Sequence, residues 1–428
     1  MRSGPSEGWI LAGTLDGVPA YPALDQEVAG MPYVLRLACD LVHAGCSTVH
    51  VVWDGVGSAP SVDSYANDPR LKGATLDVVS SAPSGGAGDP IAIVRADRIY
   101  HRDIPKQVIA AWRTTETPAA VLAGTDHDAV IVTERASAAR LAATSRTTGG
   151  LAAALVDIDK VEGTPPYLAF TTTARDAREL RRAERRLVWS LRKAADGIAS
   201  KWINRHLSLP ISWLLMRTPV HPNHVTIFCF VLALTGGIVI GQGGYVAAAI
   251  GMLLVNLGSI IDGVDGELAR LKFRFSRVGQ WLDTMADDFA NIAYITGIAF
   301  NLKASGVTWA LPFTLFVVAC FVYTQSTQYW LIARVYKSGD LAAIPWAYQS
   351  HDFLTARDEG LKVTLAKMMK RDFVLTVFVV LALCGQLIPI LIGFSAGGLS
   401  FTVVFTIQLV RNFGSVRAQL QAASSSRS

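Results

Sequence analysis

"IIDGVDGELARLKFRFSRVGQWLDTMADD", residues 260–288, leaves one apolar run and enters another while carrying Asp262, Asp265, Asp283 and Asp287. On a helix the first two acids stand at i and i+3 and the last two at i and i+4, so each pair shares one face. The connector "LKFRFS" is short, which predicts antiparallel helices that bring both pairs to the same membrane depth. An aspartate at the centre of a span costs roughly 2.5–3.5 kcal/mol, so four left bare there would cost on the order of 10 kcal/mol. Convergent carboxylates also repel one another. A hard divalent cation relieves both problems, and an oxygen-only donor set selects Mg²⁺, Mn²⁺ or Ca²⁺. Four carboxylates suffice for two such ions. The competing reading pairs the acids with Arg270, Arg274 and Arg277 in cytosolic water. Gly266 and Gly279, one beside each acidic pair, favour the first reading because they let backbone or ligand approach closely. Asp288 points about 100° away from Asp287 around the helix and is expected to face solvent or the helix surface.

Working outward, the 428 residues divide by composition. Up to about Thr218 the charge is ordinary and Gly and Pro are frequent; from about Val225 long apolar runs dominate and charge is confined to connectors. A bilayer span needs roughly 17–25 mostly apolar residues. Six segments meet or approach that length: 225–242, 245–261, 279–302, 309–332, 373–387 and 391–410. In "CGQLIPILIGFSAGG" the last two are joined by a tight turn or a re-entrant piece.

Lys and Arg alternate strictly with the connectors. Arg270, Lys272, Arg274 and Arg277 fill the second; Arg334, Lys337, Arg357, Lys362, Lys367, Lys370 and Arg371 fill the fourth; Arg411 and Arg417 follow the last span. "GQGG", "NLKASGV" and "CGQLIP" hold a single Lys between them. The positive-inside rule then places both termini in the cytosol, and an inner-membrane location follows. "ADGIASKWINRHLSLPISWLLM", residues 195–216, mixes apolar and basic positions and is expected to lie along the cytosolic interface or to dock on the soluble half.

The net charge of +5 gathers in "RDARELRRAERRLVWSLRK", residues 175–193, which suits an anionic membrane surface or a solvated linker helix. No basic face interleaved with aromatics accompanies it, which argues against nucleic acid. Cys39, Cys46, Cys229, Cys320 and Cys384 show neither pairing nor metal-ligand spacing, as expected in a reducing compartment. The N-terminus lacks the apolar stretch of a signal peptide, so the soluble half is expected in the cytosol.

The stretch around the acids resembles the signature of the CDP-alcohol phosphotransferase family, Asp-x-x-Asp-Gly-x-x-Ala-Arg, eight residues, Gly-x-x-x-Asp-x-x-x-Asp. Asp262, Asp265, Gly266, Ala269, Arg270, Gly279, Asp283 and Asp287 fill every fixed position. The resemblance implies a six-helix membrane enzyme with two Mg²⁺ or Mn²⁺ ions on Asp262, Asp265, Asp283 and Asp287. It implies Asp287 as general base on an acceptor hydroxyl, a CDP-alcohol donor of the CDP-diacylglycerol or CDP-inositol type, release of CMP, and a homodimer. Gly266, Arg270, Ser276 and Gly279 are implied to bound or contact the CDP group. "PVHPNHVT" is similar to the family's entry to the first span and offers Asn223 and Thr226 to the cytidine, although both also fit simple helix capping after Pro222.

In the first half, "WILAG", "VHVVWDG" and "PIAIVRADRIY" are short apolar runs separated by helical stretches such as "MPYVLRLACDLVHAG". That alternation predicts a parallel sheet in an α/β domain. The order of elements resembles a nucleotidyltransferase, a Rossmann-type arrangement, and the whole chain resembles fused inositol-phosphate cytidylyltransferase and di-inositol-phosphate-phosphate synthase proteins. The first turn departs from that pattern. "LAGTLDGVPAYPAL" puts Asp16 where phosphates would be cradled and Tyr21 before Pro22, and an acid there opposes a triphosphate. Asp97 is the candidate metal ligand of this half.

The expected organisation is therefore an α/β nucleotidyltransferase-like domain over 1–175, degenerate in activity by its turn chemistry, a basic linker and interfacial helix over 176–218, a six-helix transmembrane domain over 219–415 and a tail over 416–428. The leading function is metal-dependent transfer of a substituted phosphate from a CDP-alcohol to an acceptor hydroxyl in membrane lipid or inositol-phosphodiester synthesis. Alternatives are a bifunctional enzyme that also makes its CDP-alcohol, a cation-binding transporter, and a non-catalytic nucleotide-binding adaptor. Lys272, Arg274, Arg277, Arg334 and Arg371 are candidates for a phosphorylated acceptor such as an inositol phosphate, or simply cytosolic-side charges.

Overall fold

The computed structural model describes the chain except residues 1, 57–59, 123–128, 157, 164, 175, 194–195, 339–340, 347–367, 369 and 426–428. Arg175, Arg357, Lys362 and Lys367 thus lie outside the described residues. The chain forms two compact units: Met1–Lys193 with Met216–Thr218 and Leu271–Phe273, and Ala194–Leu215, Pro219–Arg270 and Arg274–Ser428.

The first unit is built on a seven-stranded sheet. Its strands are β1 (Glu7–Ala12), β2 (Thr48–Trp53), β3 (Thr75–Val79), β4 (Pro90–Arg95), β5 (Ala119–Leu122), β6 (Val130–Glu134) and β7 (Lys160–Gly163), in the order β7-β5-β6-β4-β1-β2-β3. β1 pairs parallel with both β2 and β4, in the register Leu11↔Val52 and Leu11↔Arg95. Alternate side chains explain why both faces are covered. Ile10, Val51 and Val94 face the core under α1 (Tyr33–Ala44) and α2 (Ile104–Arg113), while Trp9, Leu11 and Ile93 face α3 (Arg135–Thr144) and α4 (Gly150–Val156). α1 ends at Gly45, whose φ of 118° is open to glycine and whose N–H returns to the carbonyls of Leu41 and Val42.

The sheet is mixed rather than purely parallel. β6 runs antiparallel to β5 and to β4. Only residues 123–129 join β5 to β6, too few for the crossover that parallel neighbours require. The last helix of this unit, α5 (Ala177–Trp189), is N-capped by Asp176, whose carboxylate accepts from the backbone N–H groups of Arg178 and Glu179.

The second unit is helical: α6 (Arg205–Leu215), α7 (Pro222–Gly241), α8 (Tyr245–Lys272), α9 (Arg277–Ala304), α10 (Ala310–Leu331), α11 (Arg371–Leu383), α12 (Leu387–Arg411) and α13 (Phe413–Ser425). Among the described residues, four helical stretches are long and apolar enough to cross a membrane: Pro222–Gly241, Tyr245–Lys272, Ala310–Tyr336 and Leu387–Arg411. α9 has the length, but its first half carries Asp283, Asp287 and Asp288; α11 has only 13 residues. The segment "CGQLIPILIGFSAGG" resolves into a turn at Cys384–Gln386 followed by α12, which absorbs Pro389 in its first turn.

Small residues let these helices close up. Gly236 of α7 lies so near Gly251 of α8 that an added Cβ would come within 2.7 Å of that residue's carbonyl oxygen. Gly237 meets Gly297 and Ala293 of α9 in the same way, with 2.2 Å from a Cβ on Gly297 to the Gly237 oxygen. This is how helices pack where lipid removes the hydrophobic drive between them. Large apolar side chains instead point outward, among them Ile238 at 66% exposed, Val246 at 65% and Val410 at 71%.

α6 is mixed in polarity: Arg205, Ser208 and Ser212 are buried beside Leu209, whereas Leu207 and Leu214 are exposed.

Candidate active site

The signature spans the reversal from α8 to α9. Helix α8 continues through Asp262 and Asp265 to Lys272, so only residues 273–276 separate it from α9. Ser276 ends the turn as the N-cap of α9, its Oγ accepting the Gly279 N–H at 2.8 Å. α7 begins with His221 as N-cap and Pro222 in the first turn. All three helices thus present an end or a last turn to one region.

Within it, single carboxylate oxygens of Asp262, Asp265 and Asp283 lie within 4.8 Å of one another, each residue partly buried. The three acids offer only oxygen, which fits a hard cation such as Mg²⁺ or Mn²⁺ and disfavours soft or nitrogen-preferring metals. Asp265 is oriented from both sides. The hydroxyl of Thr226, 2% exposed, donates to its Oδ2 at 2.5 Å, and the Gly266 N–H donates to its Oδ1.

Asp287 adjoins that trio, beside Asp262. Its carboxylate is ion-paired with the guanidinium of Arg371, the first residue of α11. Asp262, Asp287 and Arg371 line one small cleft together with Cys229, Gly258 and Ala286.

The residues expected around the nucleotide fall nearby with distinct tasks. A Cβ on Gly279 would come within 2.9 Å of both Asn223 Oδ1 and Ser276 Oγ, so glycine is needed for these groups to approach. A Cβ on Gly266 would sit 3.3 Å from a guanidinium nitrogen of Arg270. Thr226 serves Asp265, and Ser276 serves the helix cap. Of the basic candidates for an acceptor, Lys272 is buried with its ammonium on the Thr218 carbonyl at 2.7 Å, while Arg274, Arg277 and Arg334 are exposed. Arg371 is the one that reaches the acids.

Two acids differ from the sequence expectation or escape it. Asp288 is not a solvent-facing residue: its carboxylate accepts from the Gln325 amide at 2.5 Å and from the Tyr329 hydroxyl, both on α10. The 100° offset turns it toward a neighbouring helix, not toward water. Glu267 occupies a variable position of the signature and is 0% exposed. It accepts from Arg205, from Ser208 Oγ at 2.7 Å and from Ser212 Oγ at 2.5 Å, and Arg205 also holds Asp196 through two bonds of 2.9 Å. The i, i+3, i+7 spacing of Arg205, Ser208 and Ser212 was the available signal.

In the first unit, Asp16 and Asp97 converge on Arg95, which is fully buried at the end of β4. Its guanidinium donates to Asp97 Oδ1 at 2.9 Å and Oδ2 at 2.7 Å, and to Asp16 Oδ2 at 2.5 Å. Asp16 Oδ1 also accepts the Gly149 N–H at 3.1 Å. Asp54 anchors the same turn, accepting the N–H groups of Thr14 at 2.8 Å and Val56 at 3.0 Å. Slight burial works to raise the pKa of Asp54, and those two N–H groups outweigh it, holding the carboxyl below its usual range.

Residues 219–408 match the CDP-alcohol phosphatidyltransferase family model, and this C-terminal region is a domain of that family. The chain is similar to the bifunctional IPC transferase and DIPP synthase of Aquifex aeolicus, 33% identical over 27% of this chain and 26% of that protein. The corresponding protein of Thermococcus kodakarensis is 34% identical over 35% of this chain and 34% of its own length. The match thus spans about a quarter to a third of these relatives. A crystal structure of Mycobacterium tuberculosis phosphatidylinositol phosphate synthase with CDP-DAG bound aligns with 49% of this chain and 94% of its own, at 22% identity and a TM-score of 0.31.

Proposed function

We propose that the chain is an integral-membrane CDP-alcohol phosphotransferase that moves a substituted phosphate from a CDP-alcohol to an acceptor hydroxyl and releases CMP. The observation that carries this reading is the convergence of Asp262, Asp265 and Asp283 at the α8–α9 reversal, inside the region of the family match. Asp262, Asp265 and Asp283, with help from Asp287, would hold two divalent cations. Bound there, the cations would neutralise the donor diphosphate and the phosphate that leaves.

The remaining chemistry falls to the side chains. The acceptor hydroxyl gives its proton to Asp287 as its oxygen bonds to the phosphorus carrying the donor alcohol. The bond from that phosphorus to the CMP oxygen breaks, and CMP departs with the electron pair. Arg371 fixes the orientation of Asp287 before the hydroxyl arrives. Thr226 fixes that of Asp265, and the absence of a side chain at Gly279 lets Asn223 and Ser276 close in beside the acids.

The relatives' names direct the choice of substrates toward inositol phosphates as acceptors and CDP-diacylglycerol or CDP-inositol as donors. The four apolar helices, together with α9 and α11, make a six-helix membrane domain in this reading. Its aspartate end and the N-terminal unit face the cytosol, because the Lys and Arg residues fall in alternate connectors. A homodimer in the cell inner membrane completes the assignment. Incubation of the purified full chain with Mg²⁺, labelled CDP-diacylglycerol or CDP-inositol, and inositol phosphate tests it: metal-dependent CMP release is expected, and none with either donor would refute it.

The first unit is read as a scaffold without cytidylyltransferase activity. Asp16 stands in the turn where a triphosphate would be cradled, and Arg95 is already ion-paired with it and with Asp97, the candidate metal ligand. The full chain is accordingly expected to leave CTP intact in the presence of inositol phosphate. Formation of pyrophosphate and CDP-inositol would establish the bifunctional alternative.

A further inference from the structure

We infer that the outward face of α5 is a docking surface for anionic lipid headgroups. This rests on the membrane reading of the second unit but not on its chemistry. α5 separates its residues by face. Leu180, Ala183, Glu184, Leu187 and Val188 are buried. Arg178, Arg181, Arg182, Arg185 and Arg186 are exposed, and at about 100° per residue all five fall within an arc of about 140°. Trp189 closes the same stripe at 39% exposed, with the Arg192 guanidinium stacked 4.3 Å above its ring. Glu179 at its edge and Asp176 at its cap are the only acids that share this helix surface, since Glu184 is turned inward to the Ala29 N–H and to Arg217.

Two features choose lipid as the occupant. A tryptophan with an apolar body and an N–H tip, set among arginines, is the pairing expected at a headgroup layer. The chain then reaches α6 through residues 190–204, a tether of at most about 50 Å. α6 exposes Leu207 and Leu214, apolar side chains suited to a lipid surface a short stretch of chain away from the arginine face. Each basic residue near such a surface adds to the attraction when the leaflet is anionic. Five on one face hold the first unit against the membrane without any span of its own.

Arginine footprinting of the full chain tests this. The protein is placed in nanodiscs of phosphatidylcholine alone or with equimolar phosphatidylglycerol, labelled with phenylglyoxal and read residue by residue by mass spectrometry. Arg181, Arg182 and Arg185 are expected to react about fivefold more slowly in the anionic discs, and to recover their rate at 1 M salt, where screening shortens to about 3 Å. Exposed Arg140 on α3 serves as the internal control and should not change. In an Arg181→Gln, Arg182→Gln, Arg185→Gln variant, Arg178 and Arg186 should label at one rate in both discs. Equal labelling of the wild-type stripe in both discs overturns the inference. Slowing that ignores lipid charge also overturns it and points to a protein covering the face. Neither outcome depends on phosphotransferase activity, so failure here leaves the proposed reaction standing.

Discussion

Arg371, at the start of α11, lays its guanidinium on the carboxylate of Asp287 on α9, while the other three signature aspartates gather on one another. The fourth acid is thereby distinguished from its neighbours by its partner. Neither side chain is deeply enclosed, at 30% and 37% exposed, so a substrate hydroxyl has access to the pair.

Arg371→Gln should leave the protein folded and lower kcat by about 100-fold, the cost of letting a catalytic group wander by about an ångström. KM for the CDP-alcohol should move much less, and Arg371→Lys should recover part of the rate. Steady-state CMP release checks both. A variant that matched the parent in kcat would remove Arg371 from the catalytic arrangement.

Thr226→Val removes one hydroxyl from a buried position with little change of volume. Its single task on the acids is the 2.5 Å bond to Asp265. The Mg²⁺ concentration for half-maximal activity should rise about 10- to 100-fold, as when other groups supporting a metal ligand are removed. An unchanged midpoint would mean that the Gly266 N–H alone suffices to orient Asp265.

Glu267→Ala takes from Arg205 its buried partner and leaves it the ion pair with Asp196. The expected loss is about 3–5 kcal/mol of stability, because a buried ion is left short of a partner. Thermal unfolding of the full chain in detergent measures it. Glu267→Gln keeps both serine bonds and should lose less; equal losses for the two variants would show that charge is irrelevant here.

In the first unit, Asp40 is buried on α1 and its Oδ1 has no hydrogen-bond partner among the described residues. Burial pushes its pKa well above the usual carboxylate range, against the opposing pull of Arg36 and Arg102. A folded-state pKa above the unfolded value means that its stabilising contribution is present below the unfolded pKa, near pH 4, and is lost as pH rises through the folded value. Asp40→Asn should therefore raise stability at neutral pH by about 1–3 kcal/mol and flatten the acid-side pH dependence. Unfolding midpoints from pH 4 to pH 8 check the sign; a variant less stable at neutral pH would reverse it.

The convergence of Asp262, Asp265 and Asp283 was legible because their spacing states a shared helix face. The α/β alternation was legible for the same reason: β1, β2 and β4 coincide with apolar runs short enough for strands. Pairing direction was less so. The antiparallel course of β6 depends on a seven-residue connection whose meaning appears only once β5 and β6 are known to be neighbours. Asp288 and Glu267 were misread or missed because a helical wheel tells which way a side chain points and not what waits there. Gln325 and Tyr329 come from α10, and Arg205 from a helix more than fifty residues upstream. The Gly236–Gly251 and Gly237–Gly297 contacts escaped for the same reason, since each glycine is unremarkable until its partner is placed. Arg95 was hidden by its position. Read along the chain it is the end of a strand, and only the fold sets Asp16 and Asp97 on either side of it.

The most direct measurement is CMP release against Mn²⁺ concentration for the parent, Asp283→Asn and Asp287→Asn, all as full-length protein. Asp283→Asn should demand far more metal for half-maximal rate. Asp287→Asn should raise the metal midpoint less than Asp283→Asn does, while its kcat falls about 10²- to 10⁴-fold, the usual range for loss of a general base. If both folded variants released CMP at the parent's rate and with the parent's metal dependence, the assignment of these acids to metal and proton would be wrong.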